Sequence, residues 1–95
     1  MEERIMTKHP DPEKAGVNIT KAKYDAVRDA IVASIGEHGE ITFQSLVGDV
    51  SERLAGQFEG SVPWYVTSVK LDLEACGVIA RLSGCGLQRL RLVER

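Results

Sequence analysis

Ninety-five residues amount to a single domain, near the lower end of what folds unaided. A hydrophobic fraction of 43% excludes a disordered chain, and no run approaches the roughly 18 consecutive apolar residues of a membrane span. The formal charge of −2 favours no partner by itself, but it is unevenly spread. Residues 25–60 hold seven acidic and two basic groups, whereas residues 78–95 hold four arginines against Glu94.

Residues 1–18 show no sustained periodicity and contain His9-Pro10-Asp11-Pro12, where each proline disfavours helix in the residue before it. Residues 1–19 therefore read as an extended arm, with Ile5, Met6, Val17 and Ile19 able to lie on the domain or on a neighbour. The polar start has no apolar signal-peptide core. Two cysteines do not make a disulfide scaffold. Both features predict a cytoplasmic protein.

The first helix is predicted over 20–37. Thr20 is its N-cap, and Tyr24, Val27, Ile31 and Ile35 form one apolar stripe. Gly39 is its expected C-cap, and Glu40-Ile41 a very short extended link. A second helix over 42–54 carries a buried face of Phe43, Leu46, Val47, Val50 and Leu54. The loop after it is anchored by Phe58. The third helix, over 62–76, has Ser61 as cap and Pro63 in its first turn. Val62, Val66, Val69, Leu73 and Cys76 make its buried stripe. Trp64, Thr67, Ser68, Leu71 and Asp72 make the opposite face, with Tyr65 and Lys70 at its flanks.

Beyond Gly77 the period switches to two, which predicts a β-hairpin of 78–82 and 87–93 around Ser83-Gly84-Cys85-Gly86. A four-residue loop pairs Leu82 with Leu87, Arg81 with Gln88 and Ile79 with Leu90. Ile79, Leu90 and Leu92 then face the core, and Arg89 and Arg91 the other side.

The run Leu73-Glu74-Ala75-Cys76-Gly77-Val78-Ile79 resembles the junction between recognition helix and wing in bacterial transcription regulators. Residues 20–93 are similar to the winged helix-turn-helix, and the whole chain resembles a group of short, uncharacterised bacterial winged-helix proteins. The fold class this implies is α+β, mainly α, with three helices and a C-terminal wing spanning 20–95. The chain departs from the pattern at Lys70, where the regulators often carry leucine.

The resemblance implies DNA binding and transcription regulation, with the third helix in the major groove. Trp64 and Tyr65 would contact sugar or thymine methyls, Thr67 and Ser68 bases or phosphates, and Lys70, Arg81, Arg89 and Arg91 phosphate. The same residues support an alternative: a protein-interaction module, homodimeric or with another partner, using the Trp64/Tyr65 face or the N-terminal arm. No catalytic motif, metal-ligand spacing or phosphate loop is present in the sequence. Neither an enzyme nor a cofactor is expected, and no membrane partner.

Overall fold

A computed structural model of the chain describes residues 3–9, 13, 16–56, 58, 60–82 and 89–93. The elements run β1 (Arg4–Met6), β2 (Asn18–Thr20), α1 (Lys21–His38), β3 (Glu40–Thr42), α2 (Phe43–Arg53), α3 (Val62–Ala75), β4 (Ile79–Leu82) and β5 (Arg89–Leu92). The architecture is small, α+β and mostly helical. It has two antiparallel sheets, a β1-β2 ribbon and a three-stranded sheet in the order β3-β5-β4. Among the described residues no helix is long and apolar enough to cross a membrane.

Each helix begins at the cap its sequence supplies. The hydroxyls of Thr20, Thr42 and Ser61 accept from the amides of Lys23, Ser45 and Trp64. The end of α3 is closed by a Schellman motif: Val78 N–H donates to Leu73 O at 2.9 Å and Gly77 N–H to Glu74 O at 3.2 Å. Gly77 sits at φ +77°, in the left-handed region that glycine enters without steric penalty. The motif turns the chain straight from α3 into the hairpin.

The core follows the predicted stripes. Val27, Ile31 and Ile35 of α1 meet Leu46 and Val50 of α2, and Val66, Val69 and Leu73 of α3. Ile19, Ile41, Ile79 and Leu90 close it from the two sheets. Cys76 is a correction. It is exposed rather than buried, because α3 stops at Ala75 and Cys76 is the cap from which the chain turns away. Val78 and Ile79 pack at that end instead. Cys85 lies outside the described residues.

The hairpin register is a second correction. Leu82 pairs with Arg89, Arg81 with Leu90 and Ile79 with Leu92, two residues beyond the expected alignment. A slip of two leaves the pleat parity unchanged, so Ile79 and Leu90 still face inward and Arg89 and Arg91 outward. The shift brings Leu92 opposite Ile79, while Leu90 lies between Arg81 and Ile41 of β3. Residues 87 and 88, expected in the second strand, lie outside the described residues.

The N-terminal segment is extended as expected, and it folds back on the domain. Ile5 pairs with Ile19, Thr7 N–H donates to Val17 O, and Val17 N–H donates to Thr7 Oγ1, both at 2.8 Å. Gly16 makes this possible, since a Cβ there would fall 1.7 Å from the Thr7 carbonyl oxygen.

Leu73→Ala should destabilise the fold by about 2–5 kcal/mol, the range for buried leucines. Leu71→Ala, at a half-buried position, should lose less than half of that. Urea titration of the two variants checks the order, and the reverse order would mean that α3 is rotated about its axis.

Candidate binding face

Helix α3 presents Pro63, Trp64, Thr67 and Ala75 to solvent, with Leu71 half-buried between them. Trp64 is 47% exposed, one of three large hydrophobic side chains left open among the described residues, with Met6 and Val93. Its ring meets Tyr65 edge to face, with centroids 4.9 Å apart, and Tyr65 meets Phe58 in the same way at 5.0 Å. Lys23 Nζ lies 5.4 Å from the Tyr65 ring centroid and 5.8 Å from that of Phe58. Tyr65 is thus half-buried in an aromatic cluster, and Trp64 caps it at the surface. Thr67 returns its hydroxyl to Pro63 O at 2.9 Å.

Lys70 does not belong to this face. It is 5% exposed, with its ammonium 3.4 Å from Glu74 and 5.3 Å from the Phe43 ring centroid. α2 covers that flank of α3, and the buried ammonium is held by an acid one turn on and an aromatic face across the interface. A phosphate cannot reach it without breaking both contacts.

Asp72, expected on the exposed face, is likewise buried at 4%. Its Oδ1 accepts the Lys8 amide at 2.8 Å and its Oδ2 accepts the Tyr24 hydroxyl. Burial and this contact push the Tyr24 hydroxyl well above its usual range. The N-terminal segment therefore lies along α3. Thr7, Lys8, His9, Gly16 and Val17 line a small cleft with Ser68 and Leu71. Ser68, expected to be open to bases, forms one wall of that cleft.

The arginines do not continue the α3 face. Arg89 and Arg91 are exposed on β5, and the pleat points them away from Leu90 and hence from the helices. Arg89 Nη1 lies 3.8 Å from Glu40 on β3. Arg81 shares the face of Leu90, its partner in the register, but stands on the edge strand β4 and is exposed. Three arginines on one hairpin thus occupy two faces, one of them carrying an acid. Among the described residues no group of three or more His, Cys, Asp or Glu is placed to hold a metal ion.

Residues 4–90 match the model of a family of unknown function, DUF6958. The chain belongs to the DUF6958 family. No curated protein and no solved structure matches it. The match includes the N-terminal ribbon together with the helices, so the contact of Asp72 with Lys8 lies wholly within the DUF6958 region.

Sequence reasoning missed this contact and the pairing of Lys70 with Phe43. Glu74 stands four residues after Lys70, a spacing that joins the two on a helix and marks the lysine as partnered. Asp72 left no comparable local signal, because its partners stand 48 and 64 residues away.

The Tyr24–Asp72 contact carries a pH signature. A phenol raised above its unfolded pKa of about 10 contributes stability that is complete below pH 10. That contribution is lost as pH rises from there towards the folded value. The urea midpoint should therefore fall between pH 9.5 and 11.5 (about the unfolded phenol pKa and above), and Tyr24→Phe should flatten the fall. Equal slopes in parent and variant would show that the hydroxyl is not held by Asp72.

Proposed function

We propose that this DUF6958 protein is a non-catalytic winged-helix module that docks a protein partner on the exposed face of α3. The winged-helix reading is supported by element order: three helices, a short strand between the first two, and a hairpin after the third. Pairing of β3 with β5 supports it further, because it ties the hairpin to the strand between α1 and α2.

The observation that carries the docking role is the make-up of the α3 face. Trp64 stands half-exposed with Thr67 and Leu71 behind it, and the one basic residue of the helix, Lys70, is withdrawn against Phe43 and Glu74. A large aromatic set on a supporting cluster and edged by hydroxyls has the character of an interface anchor. Reading duplex DNA instead calls for side chains that donate to base edges and for cations on the same surface. Thr67 gives its hydroxyl to Pro63 O, the helix itself carries no exposed cation, and Arg89 and Arg91 face away from it. Duplex binding is the second reading, favoured by the exposure of Arg81, Arg89 and Arg91.

Fluorescence anisotropy with a labelled mixed-sequence duplex separates the two. No saturable binding is expected even at about 50 mM salt, where counterion release favours association most. Salt-dependent binding whose log–log slope shallows by about 0.9 for each of Arg89→Ala and Arg91→Ala would replace the docking role with duplex binding.

A further inference from the structure

We propose that the α3 face takes an acidic, amphipathic peptide segment of a partner protein, an inference that rests on the docking role above and assigns its partner class. The apolar part of the surface is set by Trp64 and the half-buried Leu71, which lie two turns apart on one side of the helix. Charge on the flank facing α1 and the N-terminal segment supplies the rest. Lys23 stands over Tyr65, whose ring touches that of Trp64, so its ammonium lies one ring removed from the upper anchor. Lys8 lines the cleft formed with Ser68 and Leu71, beside the lower anchor.

Neither lysine joins an ion pair among the described residues. The acid that α3 itself turns to this flank is Asp72, and it is not offered to a ligand. Its carboxylate is buried, one oxygen taken by the Lys8 amide and the other by Tyr24. Glu74, on the opposite flank, is paired with Lys70. An overall negative chain thus presents two apolar anchors bordered by two cations. The complementary ligand carries apolar side chains spaced along one face and carboxylates along its edge.

A polyanionic nucleic acid fits the same cations less well. It extends past the rim and meets the field of residues 25–60, which carry seven acidic groups against two basic. A short acidic segment is confined to the cationic edge, and within a Debye length of about 8 Å at physiological salt that edge dominates.

The test is selection of a phage-displayed random peptide library on the immobilised full-length protein, followed by anisotropy with the enriched peptides. Parent protein should enrich peptides of net negative charge that carry Leu, Phe or Trp. Their affinity should fall about tenfold or more in Trp64→Ala, as for a central aromatic anchor. It should fall again in the double variant Lys8→Glu, Lys23→Glu, with the loss largest at low salt. Circular dichroism and urea midpoints of the variants confirm that they fold, and Lys23→Gln repeats the charge test with a milder change.

Enriched peptides that depend on Trp64 but are neutral or basic would overturn the acidic partner and leave the docking role standing. No enrichment, or enrichment indifferent to Trp64, would overturn both. So would a labelled single-stranded oligonucleotide that binds through Trp64 more tightly than any peptide.

Discussion

A charged carboxylate withdrawn from water is unfavourable by several kcal/mol unless its oxygens find donors, and Asp72 finds them in two separate parts of the chain. The Tyr24 hydroxyl comes from α1 and the Lys8 amide from the segment leading out of β1. One side chain on α3 therefore fixes both the depth at which α1 packs and the path of the N-terminal ribbon. Ile19 anchors the ribbon in the core, and Asp72 sets the course of the segment beyond it. The ribbon's strands are three residues each, too short to persist alone, and its close crossing at Gly16 and Thr7 tolerates no side chain at the glycine. With Asp72 in place the segment becomes a fourth wall of the α3 surroundings.

Lys70 plays the matching part on the opposite flank. Its ammonium rests between the Phe43 ring and Glu74, and this places the start of α2 against the middle of α3. Two buried ions of opposite sign thus bracket the helix, one towards the N-terminal ribbon and one towards α2. What stays open is the narrow stripe through Pro63, Trp64, Thr67 and Ala75. The apolar character of this stripe follows from where the charges went: the polar side chains of the middle of α3 are consumed in holding its neighbours.

The division between what could and could not be read from sequence follows the range of the interactions. Caps, the Gly77 junction and the stripe of Val66, Val69 and Leu73 depend on residues a few positions apart, and all appear in the folded chain. Flank positions behave differently. At Lys70 and Asp72 the helical wheel gives an intermediate angle, and burial is decided by which element arrives to cover it, a fact distributed over β1, α1 and α2. The hairpin register illustrates a further limit. Alternation fixes faces to within a slip of two, and the alignment rests on β3 lying against β5, a contact 47 to 51 residues apart in sequence that the pattern of the hairpin itself does not encode (Thr42 to Arg89 and Glu40 to Arg91 being its outer pairs with Ile41 to Leu90 between). The candidate face was legible in Trp64 and Thr67, and illegible in Ser68 and Lys70 for the same reason.

The arginines of the hairpin take a different meaning once the sheet is complete. On the outer face, Arg91 stands opposite Glu40 in the register and Arg89 reaches the same carboxylate at 3.8 Å. An ion pair so exposed adds little stability. Its consequence is for the surface, where an acid is set into what would otherwise be a cationic patch. β4 is an edge of the sheet, open to pairing with another strand, and Arg81 projects from it exposed. Charged side chains along short strands hinder such pairing, a role that asks for exposure but for no ligand. Positive charge here is arranged as protection for a small sheet is arranged, on both faces and partly neutralised. The charge beside Trp64 is arranged otherwise: two lysines on a single flank, with the neighbouring acid turned inward. That asymmetry, more than the larger number of arginines on the hairpin, is the ground on which the proposed docking at α3 stands.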